Sequence, residues 1–242
     1  MNQESDTEAV LPAKQLRSQR RRRAILDAAH RLLESVGYDS MKMEEIAAEA
    51  NSSVGTLYQR FRDKDGLLDA LLVEISEKQR ERILSELSAA NFRGTNRREA
   101  LQRIIGLIVA FFRDNPGFIR AVISRRISAP DAVSPLRPVA QETVLKGWEA
   151  FATNFPDADN EECYQRFRFA LQIALSVSSN AVLNRPGPVL IDDPALPALL
   201  TDVAENVMES GSLSLGKAAI KALDLSGVSA GDDGAEGVPG NL

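Results

Sequence analysis

"MEEIAAEANSSVGTLYQRFRDKDGLLDALL", residues 43 to 72, is the stretch on which the reading of this chain turns. Its first eight residues place Met43, Ile46, Ala47 and Ala50 on one helical face, with Glu44, Glu45 and Glu49 elsewhere. Only Asn51 and Ser52 separate them from a second helical pattern. Asn tolerates the left-handed backbone of a tight turn, and a serine at position 53 can accept a hydrogen bond from a first-turn amide. Two short helices joined by a tight turn predict a helix-turn-helix. Asp63 is placed to cap a long third helix, whose apolar positions are Leu67, Leu68, Leu71, Ile75, Ile83 and Leu87.

Upstream, "AILDAAHRLLESVGYDS" repeats apolar residues at Ile25, Ala28, Ala29, Leu32, Leu33 and Val36, the spacing of an amphipathic helix, and Gly37 supplies a left-handed stop. Residues 1–19 lack periodicity and read as a flexible arm. Downstream, helical patterns resume in "RREALQRIIGLIVAFFRD", "GFIRAVISRRI", "VAQETVLKGWEAFATNF", "NEECYQRFRFALQIALSVSSNAVLN" and "ALPALLTDVAENVMES". Residues 129–138, with three prolines, read as a loop. The Gly-, Ser- and acid-rich stretch 225–242 reads as a disordered tail. No strand pattern or repeat emerges, so the chain is read as all-α. Residues 20–66 form the helix-turn-helix domain and 67–224 a larger helical body.

Composition narrows the chemistry. One cysteine, Cys163, and one histidine, His30, leave no cluster for a zinc site and no cysteine pair for a disulfide. No nucleophile and base recommend themselves by spacing, so the chain is read as no enzyme, with neither metal nor cofactor. The N-terminus lacks a signal-peptide core and no run is long enough to span a bilayer, which points to the cytoplasm. The net charge of −5 argues weakly against a nucleic-acid partner, but its distribution matters more. Between Lys14 and Lys64 there are 11 Lys and Arg against 7 Asp and Glu, a net of +4, whereas the rest carries 18 against 27, a net of −9. A basic front is joined to an acidic body.

The ordered series "ILDAAHRLLESVGYDS", "MEEIAAEANSSVGTLYQRF" and "DKDGLLDALL" resembles the N-terminal domain of the TetR family of transcriptional regulators, over roughly residues 22–72. The resemblance implies that residues 53–60 are a recognition helix lying in the major groove. Ser53, Thr56 and Tyr58 then offer hydroxyls to phosphate oxygens, Val54 can meet a thymine methyl, and Gln59 can read adenine or bond a phosphate. Gly55, which costs a helix up to about 1 kcal/mol against alanine, would let the backbone approach the duplex. Arg60 and Lys64 supply charge, and the helix starting at Lys64 has amides suited to a phosphate. Thr56 as filler and Gln59 as a solvated surface residue are the plainer alternatives.

Two positions depart from the family pattern. Lys42 stands where Ser or Thr usually caps the second helix; lysine cannot cap but can still reach a phosphate, so either Ser40 caps a longer helix or the end frays. Ser52 replaces a small apolar residue. The run Arg20–Arg23 is either a solvated helix start or an arm touching the backbone or minor groove.

The body has two expected tasks. One is dimerisation, since a single helix-turn-helix covers one half-site of a palindromic or near-palindromic operator. Ala170, Ala174, Ser178 and Ala181 form a small-residue stripe that, with Leu199, Val203 and Val207, could build the four-helix dimer interface the resemblance implies; intrachain core is the alternative. The other is effector binding, for which Phe111, Phe112, Trp148, Phe151, Phe167, Arg168 and Gln172 are candidates, most of them equally readable as core. The expected function is a homodimeric, TetR-like repressor released from double-stranded DNA by a small molecule. A DNA-bound scaffold answering to a protein partner, or a helical carrier or enzyme, are the competing readings.

Overall fold

The computed structural model of the protein describes residues 13–128, 136–185 and 187–210, and the described residues are helical with no strand. In chain order the helices are α1 Ala13–Ser40, α2 Met43–Glu49, α3 Val54–Phe61, α4 Lys64–Glu86, α5 Arg97–Asp114, α6 Pro116–Ser128, α7 Arg137–Asn154, α8 Glu161–Asn184 and α9 Leu196–Glu209. None is long and apolar enough to cross a membrane, and the described residues hold no cluster of potential metal ligands. The expected tail lies outside the described residues, as does most of the expected loop 129–138.

The first helix differs from expectation at its start. Residues 13–19, expected in a flexible arm, belong to α1. Apolar periodicity is absent there, but arginine and glutamine are good helix formers, and the segment extends a helix already nucleated by its buried half. Ile25, Leu26, Ala28, Ala29 and Leu33 are fully buried. Gly37, with φ of 79°, interrupts the helical backbone before a last short turn to Ser40.

The first three helices and the start of α4 pack on Leu57, Phe61, Leu67 and Leu68, all buried. Helix α4 continues into the body, where α5, α8 and α9 pack on one another and α7 lies against α4. Phe92, Phe118, Phe151 and Phe167 anchor this second core.

The α1–α6 junction joins the two parts a second time. There the Glu34 carboxylate accepts hydrogen bonds from the backbone amides of Gly117 (2.6 Å) and Phe118 (2.9 Å), in the first turn of α6. A Cβ on Gly117 would lie 2.4 Å from the Leu33 carbonyl oxygen, so only glycine permits this approach. Ion pairs Arg22–Glu74 and Lys78–Asp27, both 3.8 Å, tie α1 to α4.

Candidate nucleic-acid interface

The tight turn forms as its residues dictate. Asn51 adopts φ of 47°, and the Ser53 hydroxyl accepts from the Thr56 amide at 3.1 Å, capping α3. Leu57 and Phe61 face inward, whereas Gly55, Tyr58, Gln59 and Arg60 are exposed, Tyr58 by 47%. Val54 and Thr56 are half-buried. Nothing in the protein lies within 4 Å of where a Gly55 side chain would start. Its lack of a side chain therefore serves no internal packing, and it leaves the backbone of α3 open to an outside partner.

Proton accounting sharpens the hydroxyl assignments. Ser53 Oγ and Thr56 Oγ1 are 2.8 Å apart and share one hydrogen bond. Each hydroxyl has one proton, so one of the two is used between them and the other is free to donate outward. The pair thus offers a single donor to a phosphate, not two. Tyr58 supplies a second, from an exposed ring.

Lys42 is exposed at the N-cap of α2 and makes no capping bond; Ser40 ends α1 instead of capping α2. Helix α2 is supported at that end by Glu44 and Glu45 in its first turn, favourable to the macrodipole. Arg60 donates to the Ser18 hydroxyl at 2.9 Å, tying the end of α3 to the start of α1. Lys64 departs most from expectation. Its ammonium donates to the carbonyls of Tyr38 (2.7 Å), Met41 (3.2 Å) and Asp39 (3.3 Å), and sits 4.4 Å from the centroid of the Tyr38 ring.

An ammonium has three protons, so Lys64 has none left for a phosphate while these bonds persist. The first turn of α4 is likewise occupied, because Asp63 accepts from the Gly66 amide at 2.7 Å and Asp65 adds a second carboxylate. Asp65 accepts from the Tyr38 hydroxyl at 2.5 Å. Burial, then this hydrogen bond and the carboxylate's charge, push the phenol of Tyr38 well above its ordinary range. Lys64 and Tyr38 together hold the α1–α2 turn to α4.

Arg62 is a residue the sequence reading passed over. It caps the C-terminal end of α3, its side chain is 93% exposed, and its ion-pair partner among the described residues is Asp63, at 3.9 Å. It lies one residue past the end of α3, with φ of 66°, so helical spacing does not place it on the face of Gly55, Tyr58 and Gln59; its charge beside Arg60 is the signal that could have found it.

In the body, the small-residue stripe requires correction. Ala170, Ala174, Ser178 and Ala181 are each 3% exposed or less, inside the chain's own core where α8 packs on α5 and α9. Small side chains let helices of one chain approach as readily as helices of two. Val207 is also buried, but Leu199 and Val203 are 45% and 40% exposed, and Val177 and Leu183 add exposed apolar area from α8.

Trp148, Phe151, Phe155, Tyr164 and Phe167 form one aromatic cluster with centroids 4.9–6.0 Å apart. Arg168 lies 5.6 Å over the Tyr164 ring. Phe111 and Phe112 meet edge to face on α5, both buried. Gln172 is exposed on α8 and cannot line a buried site as placed.

Both the sequence and the fold resemble known proteins. Residues 25–71 match the model of bacterial regulatory proteins of the tetR family. The HTH-type transcriptional regulator BetI of Escherichia coli O127:H6 is 36% identical over 86 residues, 36% of this chain and 43% of that protein. The uncharacterized HTH-type transcriptional regulator YvkB of Bacillus subtilis is 33% identical over 117 residues, 46% of this chain and 61% of the other. The chain thus spans about half the length of these relatives. A putative TetR-family transcriptional regulator from Mesorhizobium loti superposes with a TM-score of 0.65 at 20% identity, covering 79% of this chain and 96% of that one. A TetR transcription regulator from Haloarcula marismortui does so at 0.57 and 20%, covering 78% and 97%. At that identity the likeness is one of fold.

Proposed function

We propose, from the premise that this chain belongs to the TetR family of bacterial transcriptional regulators, that it is a homodimeric repressor which binds operator DNA through α3 and leaves it when a small molecule binds the body. The observation that carries the reading is α3 itself. A capped helix buries Leu57 and Phe61 while turning Gly55, Tyr58 and Gln59 outward beside a Ser–Thr hydroxyl pair. Such a surface has a hydroxyl for phosphates and an amide for base edges.

The dimer is supported by the exposed apolar side chains on α8 and α9, and by the need for two readers to cover a two-fold operator. Effector release is supported by the aromatic cluster between α7 and α8, a class of side chain on which apolar ligands commonly pack. Binding would act by favouring a conformation in which the readers no longer match the two half-sites.

Genomic fragments retained by the protein, once footprinted, test the reading. Two protected half-sites about one helical turn apart, or a multiple of it, are expected. On such a fragment Tyr58→Ala weakens binding without unfolding the protein, and Val54 or Gln59 substitutions change sequence preference. A Tyr58→Ala variant that binds as tightly as the parent would remove α3 from the DNA.

A further inference from the structure

The charge of the reader is distributed in a way its fold does not require. Residues 13–24 contain six Lys and Arg and no acid. Residues 24–64, the helix-turn-helix proper, contain five basic residues against seven acidic ones, a net of −2. Of those five, Lys64 is engaged by backbone carbonyls and Arg31 by Glu49 at 2.6 Å. Without its N-terminal extension, the reader would therefore present a net negative domain to a polyanion.

That extension has a defined place. From Ile25, the first buried residue of α1, twelve residues of helix run back to Ala13, about 18 Å at 1.5 Å per residue. The Ser18–Arg60 hydrogen bond holds it beside the end of α3, and the Arg22–Glu74 pair holds its base against α4. At about 100° per residue, Arg21 lies about 60° and Arg17 about 100° from Ser18 around the helix, whereas Arg20 lies about 160° and Arg23 about 140° away. Arg17 and Arg21 are exposed, and Arg22 alone of the run has an acidic partner among the described residues.

We propose that the N-terminal extension of α1 is a second DNA-contacting element, in which Arg17 and Arg21 bind phosphates flanking the half-site read by α3. The inference rests on the DNA-binding reading above and adds a surface to it. A helix with its side chains is about 10–12 Å across and the minor groove about 6 Å wide, so this helix lies over the phosphodiester ridge and not within the groove. Its contacts are blind to sequence. Repulsion between Arg17 and Arg21, one turn apart, is relieved when phosphates sit between them.

The test is a salt titration of duplex binding by the full chain. The probes are a genomic fragment retained by the protein and a shuffled duplex of equal length. Arg17→Gln with Arg21→Gln removes charge but keeps a good helix former. Each phosphate contact contributes about 0.9 to the slope of log affinity against log salt, so the slope should fall by about 1.8 on both duplexes. Between 50 and 200 mM salt that corresponds to about twelvefold of the parent's loss of affinity. The ratio of affinities for the two duplexes should not change, and residues 13–24 should gain hydrogen-exchange protection when duplex is added to the parent.

Arg20→Gln with Arg23→Gln, on the far face, should lower the slope by less than half as much. An unchanged slope in the first pair, an altered affinity ratio, or an equal effect of the second pair would each overturn the proposal while leaving α3 as the reader. A parent protein that binds neither duplex would instead overturn the reading on which it rests.

Discussion

Replacing Glu34 by alanine removes the group that closes the α1–α6 junction. Its carboxylate accepts two backbone amides of α6 at 2.6 and 2.9 Å, and its side chain is 22% exposed. A hydrogen bond to a charged group contributes about 1.5–3 kcal/mol, and losing a helix cap costs about 0.5–2 kcal/mol. Water can reach this partly open site and replace some of the loss, so about 2 kcal/mol is expected. For a unit of this size 1 kcal/mol moves the melting temperature by about 2–4 °C, which gives a fall of about 4–8 °C.

The same site sets a pH signature. Burial pushes the Glu34 carboxyl up, but the His30 imidazole 3.5 Å away and the hydrogen bonds from the Gly117 and Phe118 amides outweigh it and hold the group below its ordinary value of 4.5. A depressed folded value means that the unfolded chain takes up the proton first. The stabilisation is therefore complete above about 4.5 and is lost as pH falls through the folded value. Thermal melts of the parent, Glu34→Ala and Glu34→Gln at one protein concentration, from neutral pH to below 4.5, check both points. The gap between parent and Glu34→Gln should close on the acid side. A Glu34→Ala melt within about 1 °C of the parent at neutral pH would refute the assignment of the carboxylate as the clasp of this junction.

Two further outcomes follow from the site and the body. Lys64→Ala should lower the melting temperature and weaken duplex binding by loosening the α1–α2 turn, yet leave the salt slope unchanged; a slope lower by about one would mean that Lys64 reaches a phosphate after all. Leu199→Glu with Val203→Glu should halve the mass measured by sedimentation while keeping the helical circular dichroism, because both side chains are exposed in a single chain; an undiminished dimer would place the interface elsewhere.

What could be read directly from the sequence was local. The turn at Asn51, the caps at Ser53 and Asp63, and the inward faces of α2 and α3 depend on residues within four positions of one another, and all stand as expected. What could not be read depended on distant partners. Lys64 has the chemistry of a phosphate ligand, and only the proximity of carbonyls 23 to 26 residues earlier in the chain turns it into a structural pin. The stripe from Ala170 to Ala181 records that helices approach closely, but spacing carries no mark of whose helix approaches. The start of α1 was hidden for a different reason, since a solvated helix beyond its core has no apolar face by which to be recognised.

The split of charge between α1 and α3 also separates two kinds of affinity. If Arg17 and Arg21 supply most of the phosphate term, the base-reading groups of α3 are hydroxyls, an amide and a methyl-bearing valine, whose contacts to base edges release few counterions, with Arg60 held by Ser18 at the helix end. Rising salt should then lower binding to operator and shuffled duplex in parallel, with their ratio held by α3. The acidic body would strengthen the effect, because the chain apart from residues 13–24 carries a net −11 and a duplex would repel it outside the proposed contact surface. On this proposal, charge would orient the chain on DNA before any base is read. Sequence preference would then rest on the uncharged groups of α3, Val54 and Gln59 about Gly55, where nothing of the protein lies within 4 Å of an added Cβ.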